Sequence, residues 1–99
     1  MKKETLFHVS ESVADYIYNA NLFSQVEIMA DIFGVDVEVD VMGEIVFEGT
    51  IIEDHQFDNI VMNVVENMSV SSIVDFWGEM NGMRAYLSDD GTEVELVEE

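Results

Sequence analysis

The chain has 99 residues, 48% of them hydrophobic, which predicts one folded domain and not a disordered chain. It carries 22 Asp and Glu against 3 Lys and Arg, a formal net charge of −19, which excludes direct binding to nucleic acid and to anionic membrane surfaces, because both depend on Lys and Arg. It has no Cys, which excludes disulfides, thiolate nucleophiles and Cys-type metal sites.

Two helices are predicted in the N-terminal third, after a short arm over residues 1–9 with a strand at 6–9. The first helix covers about 10–20, where Ser and Asp residues form a capping pattern. The second covers about 22–33 and ends at Gly34, a residue typical of helix C-termini. Its apolar stripe has helical spacing and consists of Leu22, Val26, Met29 and Phe33.

A change of period follows the second helix. Residues 35–41 alternate strictly between Val and an acid, which predicts a half-buried strand with one acidic side. Residues 42–43 predict a tight turn, and 44–53 predict the partner strand. A polar loop is expected at 54–58, and the β-branched run at 60–65 favours a third strand.

The C-terminal third predicts one more helix and a hairpin. Residues 69–81 fit a helix or a strand, and we favour the helix. An Asp-Gly pair between the runs 84–87 and 93–97 is a strong hairpin signal. The predicted fold class is therefore α+β, as a single acidic domain over 1–99. Two N-terminal helices precede a mainly antiparallel sheet, a further helix and the C-terminal hairpin.

The carboxylates alternate with core residues, so folding would fix them in space. Asp36, Glu38 and Asp40 are expected on one strand face about 6.6–7 Å apart, which is comparable to the phosphate spacing along DNA. Glu44 and Glu48 extend this array on the next strand. Reversing Asp36, Glu38 and Asp40 to Lys is expected to abolish partner binding without unfolding the chain. Further partner-binding candidates are Glu27, Asp31, Glu53, Asp54, Asp58, Glu93 and Glu95.

Glu27 and Asp31 point to a surface kept negative for a partner. They lie four residues apart on a predicted helix with no cation nearby in sequence, an arrangement that destabilises a helix by about 0.2–0.5 kcal/mol. The alternative is an acidic surface that serves only solubility, as in halophilic proteins.

Enzymatic and metal-binding roles have weak support. His8 and His55 are the only His residues, and no nucleophile or phosphate-loop motif is present. The cluster within 53–58 offers metal ligands, but a plain polar loop is the better interpretation, and 89–93 fits a hairpin turn better than a calcium loop. We therefore predict a protein without catalytic residues, metal or cofactor.

Two family resemblances apply to this chain. Residues 43–51, with Phe57-Asp58 and Met62-Asn63, look like the first Sm motif over about a quarter of the chain. This implies a small SH3-like strand meander. The basic second Sm motif is missing, so RNA binding is not implied.

In size, charge and lack of Cys, the whole chain resembles the acidic DNA-mimic proteins encoded by bacteriophages and mobile elements. The resemblance implies an inhibitor that occupies the DNA-binding site of a basic host protein. Targets known for this class are the nucleoid protein HU, restriction enzymes, CRISPR effectors, uracil-DNA glycosylase and RNA polymerase, and we lean towards HU.

The sequence also bears on location, oligomeric state and other functional classes. Without a membrane span or signal peptide, the protein is expected in the cytoplasm of the host cell. A homodimer is expected to add burial, with Met80 and Met83 as interface candidates. Two other classes stay open, namely an assembly module whose charge only solubilises it, and a metal-binding regulatory protein.

Overall fold

The computed structural model describes residues 2–98 and has an α+β fold, as predicted. Its described residues form two compact units, the first from residues 2–16 and 68–98 and the second from residues 17–67. In chain order the elements are β1 (Lys2–Thr5), α1 (Leu6–Asn19), α2 (Leu22–Glu27), β2 (Val37–Val39), β3 (Ile45–Phe47), β4 (Thr50–Ile52), α3 (Asp54–Glu66), α4 (Val70–Asn81), β5 (Arg84–Leu87) and β6 (Glu93–Val97).

The first unit contains an antiparallel sheet of order β1-β6-β5, so the C-terminal strand β6 is central. Val94 and Leu96 of β6 are buried, while Glu93, Glu95 and Val97, which alternate with them, face the opposite side of the sheet. The predicted hairpin of β5 and β6 is confirmed. Residues 70–81 form a helix, which settles the ambiguity in that segment. The Ser69 hydroxyl caps α4 by accepting a hydrogen bond from the Ser72 N–H at 3.1 Å.

The loop of the C-terminal hairpin is organised by one carboxylate. Asp90 Oδ1 accepts hydrogen bonds from the Ser88 hydroxyl at 2.6 Å, the Thr92 hydroxyl at 2.8 Å and the Thr92 N–H at 3.1 Å. These bonds lower the pKa of Asp90, and the bond from Ser88 has the largest effect. Ionised Asp90 therefore stabilises the loop at neutral pH, and this contribution is lost as the pH falls through the folded-state pKa.

The second unit begins with the last residues of α1, and the helical segment predicted at 22–33 follows and is confirmed. The Asn21 side chain caps α2 by accepting from the Ser24 N–H at 2.9 Å. From Ile28–Ile32 the chain continues as a π-helix, closed by a hydrogen bond from the Phe33 N–H to the Ile28 carbonyl at 3.4 Å. Such π-helical turns occur frequently at functional sites.

An antiparallel meander of order β2-β3-β4 follows in the second unit. The predicted partner strand 44–53 is divided into β3 and β4 by a two-residue turn. Glu48 and Gly49 form this turn with φ angles of 49° and 82°, and positive φ at both positions is the requirement of a type I′ turn. The strand predicted over 35–41 is shortened to three residues, Val37–Val39.

The strand predicted at 60–65 and the polar loop at 54–58 are wrong, because both segments belong to α3. Phe57 and Val61 are buried and lie one helical turn apart, and this stripe outweighs the β-propensity of the run. The Gln56 side chain caps the helix by accepting from the Glu53 N–H at 2.8 Å. Phe57-Asp58 and Met62-Asn63 therefore share one helix, and the SH3-like meander is not formed from them.

The strand predicted at 6–9 is also wrong, because α1 already begins at Leu6. The Thr5 hydroxyl accepts a hydrogen bond from the His8 N–H at 3.1 Å, as a helix N-cap does. Val9 and Val13 are fully buried at helical spacing, so burial of this stripe extends the helix by one turn over the predicted start. The strand of this N-terminal segment is β1, which ends at Thr5, directly before the helix.

Candidate functional site

The two units differ in where their cations lie. The 22 acidic residues divide equally, with 11 in residues 17–67 and 11 in the rest of the chain, whereas all 3 Lys and Arg lie outside 17–67. The formal charge of the second unit is therefore −11, against −8 for the remainder. Carboxylates of the second unit therefore have no Lys or Arg within their own unit to pair with.

Strand register brings together the five acids predicted as the core of the site. The Glu48 N–H donates to the Asp36 carbonyl, and the Asp40 N–H donates to the Glu44 carbonyl, each at 2.9 Å. Glu38 lies between these two pairs, opposite Val46. The Cβ atoms of residues directly opposite each other in an antiparallel pair are about 4.5–5.5 Å apart. We define the acidic face as Asp36, Glu38, Asp40, Glu44 and Glu48, all of them exposed except the half-buried Asp40.

The acidic face has an apolar centre that the sequence analysis did not identify. Val46 is directly opposite both Glu38 and Ile51, so these three side chains form one row across the sheet. Ile51 is 57% exposed although it is a large aliphatic residue. An apolar centre surrounded by charged residues is the usual anatomy of a protein interface.

Asp40 has a structural role in addition to its charge. Its Oδ1 accepts hydrogen bonds from the Met42 N–H and the Glu44 N–H, both at 2.9 Å, and so fixes the turn between β2 and β3. The expectation that Asp36, Glu38 and Asp40 can all be reversed without harm to the fold is therefore corrected at Asp40. A Lys there removes both acceptor interactions, so a test of charge alone must leave Asp40 in place.

Glu48 occupies a backbone conformation that its residue type disfavours. Its φ of 49° is left-handed, a region that Gly, Asn and Asp adopt more easily. Backbone strain of this kind clusters at functional sites. An acid thus occupies a turn position at which Asn is favoured.

Replacing Glu48 by Asn tests whether stability has been given up for charge at this turn. We expect Glu48→Asn to raise the free energy of unfolding by about 0.5–1 kcal/mol, because Asn tolerates positive φ and one like charge is removed. Urea unfolding followed by circular dichroism measures the change. Glu11→Asn, at an exposed position within α1, is the control and should not stabilise the chain.

The remaining candidates of the second unit lie in three places. Glu53 directly follows β4 and continues the row of Glu44, and its carboxylate Oε2 is 3.2 Å from Nδ1 of His55. Asp54 and Asp58 are exposed on the first turns of α3. Two further acids, Glu27 and Asp31, line an open groove beside β2.

The last two candidates, Glu93 and Glu95, lie in the first unit. On β6 their side chains share the sheet face opposite buried Val94. Lys3 is directly opposite Glu95 in the register of β1 and β6. A sheet face that includes a cation is a poorer phosphate substitute than the acidic face.

Within residues 2–98, no group of three or more His, Asp or Glu side chains is placed to hold a metal ion. No helix in the same residues has both the length and the apolar character needed to cross a membrane. Comparison with protein-family models, curated proteins and solved structures finds no match to this chain.

Proposed function

We propose that this protein is a DNA-mimic inhibitor that occupies the DNA-binding site of a basic DNA-binding protein. The observation that carries the proposal is the segment 17–67, which holds 11 acids and no Lys or Arg. Five of these acids lie within or directly beside two neighbouring strands, β2 and β3. Strand geometry places alternate residues about 6.6–7 Å apart, which is comparable to the phosphate spacing along DNA.

Acids at positions where they reduce stability support the same proposal. Glu48 adopts a left-handed backbone conformation, and Glu27 and Asp31 repel each other one turn apart on a helical segment. A sequence shaped by stability alone would favour Asn at the first position and Lys at one of the other two. Their presence fits a surface whose negative charge binds a partner.

In the proposed mechanism, no bond is made or broken. Fixed carboxylates replace phosphates, and the field of the whole chain steers a basic partner into contact, so association is fast and weakens with salt. The partner is a DNA-binding protein of a bacterial host, encountered in its cytoplasm. The nucleoid protein HU is our first candidate, and CRISPR effectors, restriction enzymes and RNA polymerase are alternatives by the same mechanism.

A pull-down from nuclease-treated bacterial lysate tests the proposal and identifies the target. Tagged protein is immobilised, and bound proteins are eluted with a gradient of NaCl. We expect basic DNA-binding proteins to elute at moderate salt, since screening weakens contacts between exposed charges. Recovery of only partners that bind no DNA, or of partners that resist high salt, would contradict mimicry.

A second candidate function is a non-mimic assembly module, which exposed apolar residues favour. Val41 and Met42 at the tip of the β2–β3 hairpin are among the most exposed large apolar side chains of the described chain. Such a module binds through these residues, and its charge serves only solubility. Binding by it would be insensitive to salt, and Met42→Ser would weaken it more than any loss of carboxylates.

A further inference from the structure

An open groove of about 340 Å³ runs beside β2 within the second unit. One wall is helical, formed by residues of α2 and of the π-helical turn after it, and the other wall is β2 with Asp40. This volume is at the lower end of the range for ligand pockets in proteins. The apolar residues that line it are Phe23, Val26, Ala30, Val37 and Val39.

Phe23 makes this groove unusual. Its side chain is 64% exposed, although Val26 and Val37 beside it are buried. A large aromatic residue left in water at the mouth of an apolar groove gains contact area when a partner covers it, and aromatic residues are enriched at interfaces. The groove is therefore suited to receive an apolar side chain.

The rim of the groove determines what can approach it. Four acids line it, Glu27 and Asp31 from the helical wall and Glu38 and Asp40 from the strand wall. Glu38 and Asp40 also belong to the acidic face, so groove and face are continuous. An acidic segment would be repelled, whereas Lys or Arg side chains would pair with the rim.

From this arrangement we propose that the groove binds a basic segment of the partner protein in which one apolar side chain is flanked by Lys or Arg. The apolar side chain enters beside Phe23, and the flanking cations pair with the rim. This inference rests on the proposed function and deepens it, because the acidic face supplies electrostatic attraction and the groove selects among basic proteins.

Two synthetic peptides test the inference directly. They share four Lys and Arg residues and differ only in the central residue, Leu or Ser, and their affinities are measured by fluorescence anisotropy in about 0.15 M NaCl. We expect the Leu peptide to bind about tenfold more tightly, since one apolar side chain is buried. Phe23→Ala should remove most of this preference. Ala30→Leu, which fills the groove, should do the same.

Matched variants of the first unit are the controls. Phe7 is exposed like Phe23, so Phe7→Ala should leave the preference for Leu unchanged. Neutralising Glu27 and Asp31 should weaken both peptides about equally. The control for that pair is Asp75→Asn with Glu79→Gln, which removes two exposed acids at the same spacing on α4.

Equal affinity of the two peptides, including no measurable binding of either, would overturn the inference. So would a preference for Leu that persists in both Phe23→Ala and Ala30→Leu. The proposed function is judged separately, by competition with DNA for the captured partner. It stands if the native chain displaces DNA, whether or not the groove variants do so equally well, and it fails if the native chain displaces none.

Discussion

Reversing three acids of the acidic face should weaken partner binding strongly and leave the fold intact. We expect Asp36→Lys, Glu38→Lys and Glu44→Lys together to weaken the complex by about 3–4 kcal/mol, or about 100- to 1,000-fold, because attraction to a basic site becomes repulsion. The melting temperature should not fall, since these side chains are exposed and a Lys at each position relieves repulsion within a unit that has no Lys or Arg of its own. Isothermal titration with the captured partner and a thermal melt measure both effects.

The matched control reverses three exposed acids of the first unit, Glu11, Asp75 and Glu79. Each reversal changes the formal charge by two, so both triple variants go from −19 to −13. The control should lose only the affinity that follows from a smaller net charge, about tenfold or less. Equal losses in the two variants would mean that the total charge drives binding and that the acidic face contributes no more than other acids of the chain.

Adding a methyl group at Gly78 should destabilise the protein, although Gly→Ala within a helix normally stabilises it by about 1 kcal/mol. Gly78 is buried in α4, where a Cβ would lie 2.8 Å from the Met83 carbonyl oxygen and 3.2 Å from the Ala85 backbone nitrogen. Both contacts are with backbone, which cannot rotate away. We therefore expect Gly78→Ala to lower the free energy of unfolding by about 2 kcal/mol, from overpacking where α4 meets β5.

The corresponding fall in melting temperature is about 8–16 °C for a domain of this size. Ser71→Ala, at an exposed position of the same helix, is the control and should change stability by no more than about 0.5 kcal/mol. A rise in melting temperature for Gly78→Ala, as at an open helical site, would contradict the close approach of α4 and β5.

Local patterns in the sequence predicted most elements because each pattern agrees with the packing. The Val–acid alternation around Val37 produced a strand, and the Asp-Gly pair at Asp90 produced a hairpin. The third helix was missed because β-branched residues at 60–65 favour a strand locally, while burial of Phe57 and Val61 on one helical stripe decides the outcome. Strand propensity depends on the local sequence, whereas burial of the helical stripe depends on the tertiary fold.

The candidate site was predicted only in part, because local patterns show which acids share a strand side but not which residues lie opposite them. Alternation places Asp36, Glu38 and Asp40 on one side of a strand, and the structure adds which acids lie opposite them. The turn role of Asp40 had a sequence signal, an Asp three residues before Gly43. The groove had none, because it depends on α2 lying beside β2, which only the tertiary fold determines.

Competition with DNA is the most direct test of the central claim. Fluorescent duplex DNA is bound to the protein recovered in the pull-down, and the acidic protein is then titrated in at about 0.1 M NaCl. We expect DNA to be released in step with complex formation, and the Asp36, Glu38 and Glu44 triple reversal to release none at concentrations at which the native chain displaces it. A complex in which partner, DNA and the acidic protein are all bound together would contradict the central claim, because the partner's DNA site would then be unoccupied by this chain.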